Sequence, residues 1–284
     1  MLKDTKYKYN QFILKVYGVG EDRKIKLIHM NVLRTKGVEC DDDFVRASNR
    51  GMVNDEKLAE NILRTKSKIF ELAFCNPWDW FFTATLNKNK YDRTDLKKFH
   101  KDLTQWLRDY NKKHGISIKF LLIPELHSDG KSWHMHGFLY DLPVGHLTRF
   151  QLGDRMGKAI ADKLKNGDVV YNWLPYSEKF GFCDLEPIKC HEAVSKYVTK
   201  YISKNLATSV TELNAHQYYH SRGLKFAETI KKGSMSRAID IEPDYSNEYS
   251  SVYWLPYSDE LLNSLKENIV SGTSLSQNSE NVKL

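Results

Sequence analysis

Cysteine is scarce in this chain, at four residues in 284, and Cys40, Cys75, Cys183 and Cys190 form no C-x-x-C pair. That excludes the spacing of a zinc ribbon and of a dense disulfide framework, so reduced thiols in a cytoplasm are the simplest reading. Cys183, Cys190 and His191 likewise lack the ligand spacing of structural zinc patterns. Long apolar runs are missing too: nothing approaches the roughly 18 residues a membrane span needs. The charged start, Met1 to Gln11, has no apolar signal core, and a cytoplasmic protein with no membrane partner is expected. No internal repeat is evident. What the chain does have is 41% hydrophobic residues, enough for one large domain or two small ones, and a formal charge of +7. A basic surface suits polyanions, because Lys and Arg displace counterions from phosphates.

Two alternating runs, Tyr9 to Tyr17 and Lys24 to Val32, flank the turn-like Gly18-Val19-Gly20-Glu21-Asp22 and predict a β-hairpin. Asn54 is placed to cap a helix with Leu58, Ile62, Ile69 and Leu72 on its apolar side and Arg64, Lys66 and Lys68 elsewhere. The run WDWFFTATL, Trp78 to Leu86, reads as a strand, and Asp92 to Gly115 as a helix burying Leu96, Phe99, Leu103, Trp106 and Leu107. Ile118 to Ile123 and Trp133 to Tyr140 read as strands joined through Ser128-Asp129-Gly130-Lys131. A helical pattern follows over Leu147 to Leu164, then strand-like Val169 to Trp173 and Phe182 to Ile188, then a helix from His191 to Asn205. This order predicts an α+β fold with a central antiparallel sheet flanked by helices. The organisation expected is a hairpin and basic helix over 1–75 packed on the core, a catalytic core over 76–205, a C-terminal extension over 206–270 and a disordered Ser- and Asn-rich tail over 271–284.

His134-Met135-His136 lies inside one of these strands, and residues two apart share a face, so both imidazoles point the same way. Glu125 ends the neighbouring strand, where a hairpin brings its carboxylate beside them. Two imidazoles and a carboxylate suit a divalent cation such as Mg²⁺ or Mn²⁺ with positions left for phosphate oxygens. His127, two residues on, is the competing third ligand. Further along, Lys196-Tyr197-Val198-Thr199-Lys200-Tyr201-Ile202-Ser203-Lys204 has helical spacing. With Tyr197 at zero, Lys200 falls near about −60°, Tyr201 near about 40° and Lys204 near about −20°, while Val194, Val198 and Ile202 form the adjoining stripe. Both tyrosines and both lysines therefore share a face. A phenol, with pKa of about 10, becomes a nucleophile when cations stabilise its phenolate and a metal polarises the phosphodiester. Attack on phosphorus leaves a phosphotyrosine ester and a free 3′-hydroxyl, and a second tyrosine one helical turn away can cut a second strand. Thr83 and Thr85 sit on the strand expected to neighbour the metal ligands, where packing explains them equally well.

Three ordered motifs, FFTATLN at Phe81 to Asn87, WHMHGFLY at Trp133 to Tyr140 and YVTKYISK at Tyr197 to Lys204, make the chain resemble the HUH endonuclease superfamily, Rep class, in its two-tyrosine form. The resemblance covers about Asn76 to Asn205, with Met135 in the central position of the histidine motif. It implies a sheet of about five antiparallel strands, and metal-dependent nicking of single-stranded DNA or an origin hairpin through a 5′-phosphotyrosine intermediate. The metal ligands it implies are Glu125, His134 and His136, and the catalytic residues Tyr197, Tyr201, Lys200 and Lys204. Rolling-circle initiation in a bacterial host cytoplasm, for a plasmid or phage replicon, is the expected role. Gly130-Lys131-Ser132 lacks the first glycine of a phosphate-binding loop and there is no helicase domain, so host helicase and polymerase become expected partners. The alternatives are a two-tyrosine transposase, which usually carries a cysteine-rich module, a relaxase, whose tyrosine typically precedes the histidines, and a non-catalytic basic DNA-binding protein. Oligomeric state is left open.

Overall fold

The computed structural model describes residues 12–30, 55–199, 217–237, 240–248 and 250–270, with the side chains of 55–61 excepted. In chain order the elements are β1 (Phe12–Tyr17), β2 (Lys24–Met30), α1 (Asp55–Phe74), β3 (Trp80–Thr85), α2 (Leu96–His114), β4 (Lys119–Leu126) and β5 (Trp133–Tyr140). There follow β6 (Thr148–Arg149), α3 (Lys158–Lys165), β7 (Tyr171–Asn172), α4 (Leu174–Lys179), β8 (Cys183–Pro187) and α5 (191–199). The last are β9 (Tyr219–His220), β10 (Glu228–Met235), β11 (Tyr245–Ser246), β12 (Ser250–Pro256), α6 (Asp259–Asn268) and β13 (Ile269–Val270). The chain divides into two compact units, Met1–Arg50 with Ala227–Leu284, and Gly51–Phe226. The fold is α+β with antiparallel sheets flanked by helices, as the order of elements predicts. Among the described residues no helix is long and apolar enough to cross a membrane.

The first unit joins the two ends of the chain in a six-stranded sheet ordered β11-β12-β2-β1-β10-β13. The expected hairpin is there, with Phe12 opposite His29 and Tyr17 opposite Lys24. Leu14, Ile25, Leu27 and Leu255 line one face and pack on Leu265 and Ile269 at the end of α6, itself capped by the Ser258 hydroxyl accepting from the Leu261 amide.

The second unit holds the motifs. Its sheet runs β6-β7-β8-β3-β5-β4-β9, with four longer strands at the centre and two-residue strands at the edges. Period-two alternation gives this sheet two buried faces. Trp80, Phe82, Ala84, Met135, Leu139, Leu122, Cys183 and Leu185 meet Phe99, Leu103, Leu107 and Tyr110 of α2 and Tyr176 of α4. Leu121, Ile123 and Phe138 on the opposite face meet Ile69, Leu72 and Ala73 of α1 and Val198 of α5. Asn76, buried after α1, donates to the carbonyls of Leu72 and Lys225 and accepts from the Lys225 amide, which ties the two ends of this unit together.

The helix expected over Leu147 to Leu164 is a correction: only Lys158–Lys165 is helical. Gly153 adopts φ +107°, a conformation outside the helical region, and the Asp154 carboxylate accepts from the Gln151 amide in a turn. Phe150, Ile160 and Val170 still converge, with Met156 and Leu164, on a small core of their own, so the apolar positions were real and their period misleading. The strand expected over Val169 to Trp173 shortens to Tyr171–Asn172, because Pro175 starts α4. The 206–270 stretch supplies β9 to one sheet and β10 to β13 to the other. Cys75 and Cys183 are buried and Cys190 is exposed, all as free thiols. Asn54, Leu58's side chain, Cys40 and residues 271–284 lie outside the described residues.

Gly137 sits between the second histidine and the core in β5, and a methyl group there would land on the Leu121 carbonyl oxygen of β4. Since the obstacle is backbone inside a sheet, Gly137→Ala should destabilise the second unit by at least about 2 kcal/mol. Urea unfolding checks this, and an unchanged midpoint would show that β4 and β5 can separate at no cost.

Candidate active site

Strand pairing assembles the site row by row. In one row Asp184 of β8 lies opposite Thr83 of β3, and Thr83 opposite His136 of β5. In the next, Thr85 lies opposite His134, and His134 opposite Glu125 of β4. All of these side chains project to the α1 and α5 face, beyond the apolar patch around Phe138 and Leu121. Phe81 belongs to both regions, its ring lying parallel to His136 at 6.2 Å and edge-on to Phe138 at 6.0 Å.

Glu125 Oε2 lies 3.0 Å from His136 Nε2 and 3.4 Å from His134 Nε2, with the three side chains between 16% and 26% exposed. Their donor atoms lie within 4.8 Å of one another, and among the described residues this is the His, Cys, Asp and Glu group compact enough to share one ion. The contact of His134 Nε2 with Glu125 lacks hydrogen-bond alignment, so this buried nitrogen has no hydrogen-bond partner. A buried polar atom left unsatisfied is unfavourable, and a metal would satisfy it. The donor set therefore fits a divalent ion. His127, the competing ligand, stacks on His134 at 4.2 Å between ring centres but falls outside the three-residue group. Burial, then the proximity of His134 and Arg93, lowers its pKa and favours the neutral ring.

One feature had no clear sequence signal. The Thr83 hydroxyl stands 3.2 Å from His136 Nδ1 and also hydrogen-bonds the Asp184 carboxylate. A hydroxyl that donates to the carboxylate accepts from Nδ1–H, which leaves Nε2 unprotonated and facing Glu125. Asp184 is 7% exposed, and burial raises its pKa to about 6 against the opposing pull of Lys163. Thr83 was visible from sequence as a neighbour; Asp184 shows there only as an acid inside the apolar run Phe182 to Ile188.

Of the four catalytic candidates, Tyr197 is described and Lys200, Tyr201 and Lys204 lie outside the described residues. Val198 is buried against the sheet with Val194 beside it, as the helical stripe predicts, and Tyr197 emerges at the border, 47% exposed. Its ring meets Phe81 edge-on at 5.8 Å, so a single aromatic ring separates it from His136. The neighbouring Lys196 is held by Glu192 at 2.7 Å.

Residues 79–206, less than half of the chain, match the family model described as replication-associated protein ORF2. The matched stretch takes in β3, β4, β5 and α5, with Glu125, His134, His136 and Tyr197 inside it, and supports a replication-initiator role. No curated protein and no solved structure matches.

The raised pKa of Asp184 has a consequence for stability. Its carboxyl binds a proton more tightly folded than unfolded, so the folded state is favoured below pH 4 and loses that advantage as pH rises to about 6. The rise from 3.8 to about 6 corresponds to about 3 kcal/mol. Asp184→Asn removes the titration, so the variant's stability relative to the natural protein should grow by about that amount between pH 4 and pH 7, measured by urea unfolding in chelator. A constant difference across that window would mean Asp184 ionises as freely folded as unfolded.

Proposed function

We propose that this chain starts rolling-circle replication of a small replicon by nicking, and later rejoining, single-stranded DNA at an origin through a 5′-phosphotyrosine intermediate. The observation that carries the reading is Glu125, His134 and His136 gathered on one sheet face, one ring away from Tyr197, inside a stretch that matches a replication-associated family. The net charge of +7 suits a DNA partner.

In this reading Glu125, His134 and His136 hold a divalent ion, Mg²⁺ or Mn²⁺. Bound there, such an ion offsets charge on the phosphate oxygens. Asp184 and Thr83 keep the His136 ring turned with Nε2 toward the ligand gap. Tyr197 supplies the nucleophile: its phenolic oxygen bonds to phosphorus as the P–O3′ bond breaks. The phenol's proton passes to solvent, and the departing 3′-oxygen takes one up to become a hydroxyl. The 5′ end stays on Tyr197 as a phosphate ester, and attack by a 3′-hydroxyl reverses the step without ATP. Tyr201 as the nucleophile for a second strand, and Lys200 and Lys204 as cations beside the phenolates, follow from helical spacing in the sequence. Host helicase and polymerase would unwind and copy. A transposase or relaxase would share the chemistry; the replication-associated match favours the initiator.

The test is a denaturing gel of the full chain incubated with labelled single strands from its own replicon, with Mn²⁺ or chelator. A covalent band that needs metal, survives in Tyr197→Phe or Tyr201→Phe singly and disappears in the double variant is expected. DNA binding without any adduct would replace the enzyme with a binding protein. Separately, Thr83→Val, which leaves His136 Nδ1 without its hydroxyl, should weaken Mn²⁺ binding roughly 10- to 100-fold in a titration without DNA. Unchanged affinity would remove Thr83 and Asp184 from the positioning role.

A further inference from the structure

Next to the ligand trio lies a cation that the proposed chemistry leaves unused. Arg93 precedes α2, and its carbonyl accepts the Trp133 amide at 2.8 Å, which pins its backbone to the first residue of β5, next to His134. Its side chain runs to His127, near enough for its charge to bear on that ring. Arg93 Nε is buried with no acceptor, and among the described residues no carboxylate forms an ion pair with the guanidinium. The acid near His127, Asp129, is committed to its own loop, where it accepts from the amides of Lys131 and Ser132.

A guanidinium cannot shed its charge, so burying part of one without an acceptor is unfavourable in the protein as it stands. Two more buried nitrogens nearby, His127 Nε2 and His134 Nε2, also lack partners. Glu125 is the carboxylate among these groups, and its oxygen already faces both His134 and His136. A divalent ion would satisfy His134 but add positive charge beside Arg93. Packing or metal binding alone therefore leaves the arrangement short of negative charge. The missing component is an anion rich in acceptor oxygens, and the planar fork of arginine matches a phosphodiester.

We propose that Arg93 is a phosphate-binding residue of this site, its guanidinium beside His127 gripping a backbone phosphate of the single strand whose scissile phosphate lies at Glu125, His134 and His136. The proposal rests on the nicking reading of the same site. Arg93 here touches substrate and positions the strand; it takes no part in proton transfer.

The experiment compares the natural protein with Arg93→Gln and Arg93→Lys, using a replicon-derived strand that the natural protein cuts. A neutral methylphosphonate is walked across the phosphates flanking the nick, and Mn²⁺ affinity is measured without DNA. The expected result is unchanged Mn²⁺ affinity in Arg93→Gln, KM raised at least about tenfold, partial recovery in Arg93→Lys, and one phosphate whose neutralisation impairs the natural protein but adds nothing to Arg93→Gln. The proposal is overturned if Arg93→Gln cuts within twofold of the natural protein, if both show the same methylphosphonate profile, or if Mn²⁺ affinity collapses with DNA binding, which would make Arg93 a scaffold for the ligands. Should the natural protein form no adduct with any strand, the nicking reading fails on its own, and binding of a dT20 strand still decides Arg93. A salt dependence shallower by about 0.7 in Arg93→Gln keeps the phosphate contact, and an unchanged slope removes it.

Discussion

A slip of one residue between β4 and β5 would carry Glu125 to the opposite face of the sheet and put Pro124 or Leu126 beside His134. Everything chemical about the second unit depends on that register. It is held by apolar residues on both faces: Leu122, Met135 and Leu139 toward α2, and Leu121, Ile123 and Phe138 toward α1 and α5. A slip would turn both sets outward, toward the wrong helices. Gly137 adds a steric lock, because its missing side chain is what lets β4 approach so closely. The polar row is thus an exception carried by a strongly hydrophobic sheet, and its geometry is maintained by residues that take no part in the chemistry.

Electrostatically the row is asymmetric. On the β8 side, Asp184 is buried with its pKa raised to about 6, and it reaches the ligands through Thr83 rather than by direct contact. Set next to the imidazoles, a second carboxylate would compete for the same ion; one hydroxyl away, it orients a ring while remaining largely ionised near neutral pH. On the β4 side, the loop to β5 brings His127 and Arg93 together with orphaned nitrogens. One flank therefore supplies order and the other is short of negative charge, which gives the site a direction along which an anionic strand can lie.

Those parts of the site that were legible in the sequence follow one short-range rule. His134 and His136 share a face by period two, and Glu125 reaches them across a turn spelled by Ser128-Asp129-Gly130-Lys131. The hairpin of β1 and β2 was visible for the same reason. Asp184 and Arg93 were not, since a third strand brings one in from 48 residues beyond His136 and a loop contact with Trp133 fixes the other. The six-stranded sheet was equally hidden: β12 pairs β2 across more than 200 residues, and nothing local marks two such strands as partners. Where local pattern misled, over Leu147 to Leu164, the apolar spacing reflected a small core reached through a turn at Gly153 rather than a helix face.

The nucleophile's position is a matter of helix rotation. Val198 is buried and Val194 packs beside it, while the Ser195 hydroxyl donates to the His191 carbonyl and Thr199 to the Ser195 carbonyl, so the polar side chains of this stretch satisfy themselves within the helix. The His191 ring is anchored in turn at 3.0 Å from the Trp78 carbonyl, at the entrance to β3. Fixed at both its start and its valine stripe, the helix has no freedom to roll, and Tyr197 must emerge at the border between apolar patch and polar row. Had the stripe been shifted by one residue, a rotation of about 100° would have turned the phenol away from Phe81. The valines, which carry no chemistry, therefore decide which tyrosine faces the site, and a phenol held edge-on to Phe81 stays within one ring of His136 while keeping about half of its surface open to a strand.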